Sequence, residues 1–294
     1  MKINVAINGF GRIGRLTLRA FLERKIEDFN IVAINDLGNI DSNLHLLKYD
    51  SVHGLLTEKF SKKGQNISIG DQNIFFSNES NPLNLPWKKL KVDIVIESTG
   101  IFTKKEKAEL HIKAGAKKVL VSAPSPDPDI TVVFGINQNQ IKSTHNIISN
   151  GSCTTNCLAP IAFLMDKHLG IKSGYMTTVH SVTGDQNTID TFHKDLRRAR
   201  NSLISIIPTS TGAARAVGEV LPNLKGKIDG SAIRVPTPNV SLVDFKFFSE
   251  KMTTKEQIVQ IFKEAETNDF KSIIETVSEP MVSGDFNHNP HSSI

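Results

Sequence analysis

The stretch Ile3-Asn4-Val5-Ala6-Ile7-Asn8-Gly9-Phe10-Gly11-Arg12-Ile13-Gly14 decides the fold. Its first six residues read as a short buried β-strand. The G-x-G-x-x-G that follows opens into a helix-forming run, Arg15 to Arg24, with apolar residues at Leu16, Leu18, Ala20, Phe21 and Leu22. A second apolar strand, Ile31-Val32-Ala33-Ile34-Asn35, ends in Asp36, 22 residues after Gly14. A lone G-x-G-x-x-G is weak; strand, glycines, helix, strand and terminal acid arriving in order form a dinucleotide-binding unit. Gly9 permits the tight turn, Gly11 lets a pyrophosphate approach the backbone, and Gly14 lets helix and sheet pack closely. The pyrophosphate rests on the helix N-terminus, where backbone N–H groups lack partners. Asp36 accepts hydrogen bonds from the adenosine ribose hydroxyls and repels a 2′-phosphate, which predicts NAD rather than NADP.

The same alternation continues outward. Val92-Asp93-Ile94-Val95-Ile96-Glu97 runs into Ser98-Thr99-Gly100, and Lys118-Val119-Leu120-Val121 runs into Ser122-Ala123-Pro124. Thr131-Val132-Val133-Phe134-Gly135 and Asn146-Ile147-Ile148 read as further strands, with a helical stretch from Lys104 to Ala114 between earlier ones. This pattern predicts an α/β doubly wound, mainly parallel sheet of Rossmann type over residues 1–150. Ligands bind at the carboxyl ends of such strands. Ser98, Thr99, Gly100 and Ser122 are therefore candidates for cofactor contact, beside Gly9, Gly11, Arg12 and Ile13 at the opening of the first helix.

The stretch Ser149-Asn150-Gly151-Ser152-Cys153-Thr154-Thr155-Asn156-Cys157-Leu158 carries the chemistry. Small and hydroxylic residues give way there to a helix-forming run, Leu158 to Leu169, which sets Cys153 near a helix N-terminus. Unpaired N–H groups and the positive end of the helix dipole favour a thiolate, and a thiolate is a nucleophile. Ser152, Thr154 and Thr155 add hydroxyls able to hold an anion at the same place. A buried structural cysteine is the plainer alternative.

Further along, Tyr175-Met176-Thr177-Thr178-Val179 reads as a strand with His180 at its end; paired with Cys153 it would activate the thiol and shuttle a proton, and a structural histidine is the plainer alternative. Pro208-Thr209-Ser210-Thr211-Gly212-Ala213-Ala214 opens a helix with hydroxyls and glycine, a second anion site. Arg234 lies in an otherwise apolar strand, so it should face a carboxylate or a bound phosphate. Val240 to Phe248 alternates apolar and polar residues, and Thr254 to Ala265 reads as an amphipathic helix. Residues 151–294 are thus expected to form an α+β catalytic domain with a mainly antiparallel sheet.

Composition sets the bounds. A chain of 294 residues exceeds one ordinary core and fits two domains. With 39% hydrophobic and 22% charged residues it reads as globular, and no run approaches the roughly 20 apolar residues of a membrane span. Met1 to Val5 leads directly into a strand, without a signal-peptide pattern. Two cysteines make no disulfide framework, which predicts a cytoplasmic protein, and without Cys or His partners nearby they make no metal site. The net charge of +5 tolerates anionic substrates. The basic run Leu196-Arg197-Arg198-Ala199-Arg200 reads as a solvated or interface segment rather than a nucleic-acid site.

Taken together, these motifs resemble phosphorylating glyceraldehyde-3-phosphate dehydrogenases of type I. The resemblance is collinear from Asn8 through Ser152-Cys153-Thr154-Thr155-Asn156-Cys157, Thr183-Gly184-Asp185-Gln186 and Pro208–Ala214 to Arg234-Val235-Pro236-Thr237-Pro238. It implies an NAD-dependent homotetramer of glycolysis and gluconeogenesis, converting glyceraldehyde 3-phosphate and inorganic phosphate to 1,3-bisphosphoglycerate. It further implies Cys153 as nucleophile and His180 as base. Ser152, Thr154, Thr211 and Gly212 would line the inorganic-phosphate site. Thr183 and Arg234 would hold the substrate phosphate, with help from one arginine of the 197–200 cluster.

Four departures accompany the resemblance. Asn78-Glu79-Ser80-Asn81-Pro82 lacks the usual cation near the adenine, which predicts one cofactor contact fewer. Val182 replaces a common aromatic residue, and Gly151 a common alanine. The chain given stops at Ile294 where family members continue, so it reads as lacking a segment with a nicotinamide-orienting asparagine and a final helix. Erythrose-4-phosphate dehydrogenase and a catalytically impaired nucleotide- or RNA-binding fragment are the alternative readings.

Overall fold

The computed structural model of the chain describes residues 2–294. Strand β1 (Ile3–Asn8) feeds helix α1 (Arg12–Glu23), and β2 (Phe29–Asn35) returns parallel to it. Helix α2 (Ile40–Lys48) and the hairpin of β3 (Tyr49–Asp50) and β4 (Gly54–Leu55) follow. Strands β5 (Phe60–Lys63), β6 (Asn66–Ile69) and β7 (Gln72–Ser77) form an antiparallel meander that the sequence reading did not resolve. Next come β8 (Ile94–Glu97), α3 (Lys105–Lys113), β9 (Lys118–Val121), β10 (Ile130–Thr131) and β11 (Ile147–Ser149).

The nine strands of this sheet run in the order β10-β11-β9-β8-β1-β2-β7-β6-β5, parallel from β10 to β7. Chain order reverses at β1, the topological switch point at which open α/β sheets bind ligands. Both faces of the sheet are buried. Ile7, Leu18, Ile34 and Phe76 form one apolar cluster, and Ala6, Trp87, Val95 and Val119 another. One expectation fails: the strand expected over 131–135 is only the short β10, Ile130–Thr131, and Val133 is instead fully buried in the core of the second unit. The chain separates into two compact units, one holding the residues up to 132 with 140–151, the other holding 133–139 with 152–294.

The second unit holds α4 (Cys153–Leu169), β12 (Ile171–Ser181), β13 (Ile207–Ser210), α5 (Ala213–Val220), β14 (Ile228–Val235), β15 (Leu242–Ser249) and α6 (Lys255–Thr267). Its sheet order is β13-β14-β12-β15; β12 pairs parallel with β14, and the other two pairings are antiparallel. Helices α4, α5 and α6 cover one face through Leu158, Met165, Val217 and Ala265. Along β15, Val243, Phe245 and Phe247 turn toward that core, while Leu242 and Phe248 are exposed. A second expectation is corrected here. Pro208-Thr209-Ser210 lie in β13, and the helix opens only at Ala213, because the strand pairing of Pro208 with Ile233 extends the chain to Ser210.

Candidate active site

Cys153 is the first residue of α4, and Ser152 is its N-cap. The Ser152 hydroxyl accepts from the Thr155 N–H at 3.0 Å and lies 2.7 Å from the Thr155 hydroxyl, which donates to the Ala213 carbonyl at 3.2 Å. That last bond ties the N-terminus of α4 to that of α5, so two positive helix ends converge. At the mouth of α5, Thr211 Oγ1 accepts from the Ala213 N–H, and a Cβ built on Gly212 meets nothing within 4 Å. The opening is thus unfilled backbone at a helix start, the geometry of an anion site.

His180 is at the end of β12, with its Nε2 3.3 Å from Cys153 Sγ. Burial pushes the Cys153 thiol up. The hydrogen bond and charge of His180, together with the Thr154 hydroxyl and N–H, outweigh it and hold the thiol below its ordinary value. Cys157, one helical turn on, goes the other way, because burial raises its thiol. Both cysteines are free.

Arg234 lies beside His180 on β14. Its Nη1 donates to the Ser181 carbonyl at 2.8 Å and reaches His180 Nδ1 at 2.5 Å. A guanidinium only donates, so Nδ1 accepts and the ring proton sits on Nε2, facing the sulfur. Among the described residues no carboxylate pairs with Arg234, which leaves a bound phosphate of the two partners expected for it. Its Nε is buried without a hydrogen-bond partner, and burial and the neighbouring Arg198 depress its pKa.

Arg198 is the member of the basic run that reaches this place, whereas Arg200 pairs with Asp190. Arg198 Nη1 donates to Asp185 at 2.5 Å, and its Nε donates to the Thr209 hydroxyl at 3.0 Å. Thr183 is held next to Asp185 through Gln186 Oε1, which accepts from its N–H at 3.0 Å and its hydroxyl at 3.2 Å. Two neighbouring guanidinium groups, one partly buried and unsatisfied, make a setting that a bound anion relieves. Asp185 and Thr209 were not singled out from sequence; a short acid-bearing loop offers no periodic signal.

In the first unit, Gly9 has φ +88°, and a Cβ there would lie 2.6 Å from Thr99 N; one on Gly14 would lie 2.2 Å from the Gly9 carbonyl. Both positions exclude any side chain. Over Gly11, the N-cap of α1, there is open space and no side-chain cap, so the helix mouth fits a pyrophosphate. Ile13 is half-exposed on the first turn, and Arg12 pairs with Asp50 at 2.5 Å. Asp36 is held in place: Oδ2 accepts from the Phe10 N–H at 2.7 Å and Oδ1 from the Gly38 N–H at 2.8 Å. Ser98 Oγ donates to the Gly9 carbonyl at 2.6 Å, and the Ser122 N–H donates to the Glu97 carbonyl at 2.9 Å. Asn78, in the segment without a cation, donates to the Asp36 carbonyl at 2.9 Å.

Models of the glyceraldehyde 3-phosphate dehydrogenase NAD-binding domain and C-terminal domain match residues 3–105 and 152–294. The chain belongs to the glyceraldehyde-3-phosphate dehydrogenase family. It is 53% identical over 293 residues to the glyceraldehyde-3-phosphate dehydrogenase of Xanthobacter flavus, covering 100% of this chain and 88% of that protein. It is 52% identical to those of Cereibacter sphaeroides, over 88% of that protein, and Geobacillus stearothermophilus, over 87%, again with all of this chain covered. Membership makes it an NAD-dependent oxidoreductase with a Rossmann domain and a catalytic C-terminal domain. Neither alternative reading gains support. No helix among the described residues is long and apolar enough to cross a membrane.

Proposed function

We propose that this chain oxidises D-glyceraldehyde 3-phosphate with NAD and inorganic phosphate to 1,3-bisphosphoglycerate, with Cys153 as nucleophile and His180 as its proton shuttle. The observation that carries the reading is the 3.3 Å contact of His180 Nε2 with a thiol of lowered pKa at the start of α4. The Cys153 sulfur adds to the aldehyde carbon as the carbonyl electrons move to oxygen. The Cys153 N–H hydrogen-bonds that oxygen and His180 Nε2 gives it a proton, which makes the hemithioacetal hydroxyl. Bound NAD supplies the hydride acceptor. His180 takes the hydroxyl proton as the hydride departs, which leaves a thioester on Cys153. A phosphate oxygen then attacks the thioester carbon, the C–S bond breaks and the thiolate returns.

For the anions, we assign Thr183 and Arg234 to the substrate phosphate, and Ser152, Thr154, Thr211 and Gly212 to inorganic phosphate, with Arg198 as the assisting arginine. Arg234 has a second task in this scheme. While it rests on His180 Nδ1, the ring holds its proton toward the thiolate. Drawn onto the substrate phosphate, it leaves Nδ1 to hold a proton against the Ser181 carbonyl 2.7 Å away. Nε2 then gives and takes the reaction proton.

Gly9, Gly11, Arg12, Ile13, Asp36, Ser98, Thr99, Gly100 and Ser122 are assigned to NAD. We further propose a cytoplasmic homotetramer. Two free thiols suit a reducing compartment, and Ile189, Phe192, Leu196, Ile204 and Ile206 are all exposed within one segment, as association surfaces require. Turnover of Cys153→Ser tests the chemical core: abolished turnover with NAD binding intact supports it, and residual turnover near that of the unaltered chain refutes it.

A further inference from the structure

Four adjacent strands of the first sheet each end in a buried polar residue: Ser77 on β7, Asn35 on β2, Asn8 on β1 and Glu97 on β8. The four are paired in register across the sheet. Their side chains form one row of hydrogen bonds that all donate in the same direction. Ser77 Oγ donates to Asn35 Oδ1 at 2.9 Å, Asn35 Nδ2 to Asn8 Oδ1 at 2.8 Å, and Asn8 Nδ2 to Glu97 Oε2 at 2.6 Å. Bonds aligned in this way polarise one another, and the row terminates on a carboxylate.

Helix α3 supplies a second donor from below. The Trp87 indole N–H donates to His111 Nδ1 at 3.0 Å, which puts the His111 proton on Nε2, and Nε2 lies 3.1 Å from Glu97 Oε2. Both rings are fully buried. The other carboxylate oxygen, Oε1, accepts from the Thr99 N–H at 2.8 Å and from the Thr99 hydroxyl. The Thr99 hydroxyl oxygen in turn accepts from the Ile101 N–H at 3.0 Å, so its proton is committed to Glu97. Next to it, Ser98 ties the same loop to the Gly9 carbonyl.

We infer that Glu97 is a positioning residue for the cofactor: the buried row Ser77–Asn35–Asn8–Glu97, braced by His111 and Trp87, fixes the Thr99 loop against the Gly9 turn in the shape that receives NAD. The inference rests on the assignment of Gly9, Thr99 and Gly100 to NAD. The Thr99 hydroxyl acts here by shaping its own loop, through a bond to a buried carboxylate. Carboxylate chemistry is required because every group around Glu97 donates. An amide in its place turns an N–H₂ either toward Asn8 Nδ2 and His111 Nε2 or toward the Thr99 N–H, all of which already donate.

Equilibrium binding of NAD to the full chain without substrate, for E97Q, T99V and the double variant, tests this. Each single variant is expected to weaken NAD about tenfold, the worth of one such bond, and the double variant no more than either alone. Trp87 is the single tryptophan and reports the row from the other end. Where the E97Q amide turns its N–H₂ toward His111, it drives the His111 proton to Nδ1, breaks the Trp87 bond and shifts the emission of the NAD-free protein; in T99V the emission stays unchanged. Thr99 is only part-buried, so T99V folds even where E97Q does not. Its loss then reads the same bond against Thr99→Ser, which keeps the hydroxyl and should bind NAD within about twofold of the unaltered chain. Binding within twofold in T99V, equal losses in T99V and T99S, or losses that multiply in the double variant overturn the inference. An unaltered chain that does not bind NAD overturns the cofactor assignment itself, and the inference with it.

Discussion

At Cys153 two opposing effects meet, and the sign of their sum sets the reactivity. Burial favours the neutral thiol, while His180 and Thr154 favour the thiolate and win. At Cys157 burial outweighs the hydrogen bond of Ser293, and the thiol is favoured. A depressed pKa places the rise of thiolate at lower pH, so alkylation of Cys153 should climb and level off below the ordinary thiol range, near pH 8.5. Cys157 should begin to react only above it. Iodoacetamide labelling followed by peptide mass across pH checks this; earlier labelling of Cys157 contradicts it. His180→Asn should move the Cys153 profile upward and lower turnover by about 10²- to 10⁴-fold. Cys153 and His180 were readable as candidates because each follows a clear element boundary. The Arg234–His180 contact was not readable, since β12 and β14 pair in the sheet although β13, α5 and the intervening loops separate them along the chain.

At the scale of elements, the helix N-termini carry the anion chemistry. Ser152→Ala removes the α4 cap and should lower stability by about 1 kcal/mol, read as a shift of the denaturant midpoint at unchanged slope. Arg234→Ala should weaken glyceraldehyde 3-phosphate far more than unphosphorylated glyceraldehyde, because only the former presents the anion the guanidinium pairs with. Equal losses for the two aldehydes point to a structural role instead. Strands with continuous apolar runs were legible from sequence, and so was the β1–α1–β2 unit. The β5–β7 meander was not, because its short strands mix Lys, Ser, Asn and Gln with the apolar residues that face the core. The stretch 131–135 misleads for the opposite reason: Val132 and Val133 are both buried, but Val133 belongs to the core of the second unit. Asn8, Asn35 and Glu97 each close an apolar run in the sequence, yet a row across a sheet becomes visible only once strand order is known.

For the whole molecule, the exposed apolar segment around Phe192 and Ile204 predicts association. Light scattering should give a mass near four times 32.4 kDa, and Ile204→Asp should lower it by opening that surface to a charge. A mass of one chain for the unaltered protein removes the tetramer from the account. The central claim is covalent: hydride transfer leaves an acyl group on Cys153 that only phosphate releases efficiently. Rapid mixing of the protein with NAD and glyceraldehyde 3-phosphate in phosphate-free buffer tests it directly. NADH should appear in a burst of about one equivalent per chain and then stall, restart when phosphate is added, and be absent in Cys153→Ser. Steady NADH formation without phosphate, or an undiminished burst in Cys153→Ser, would contradict it.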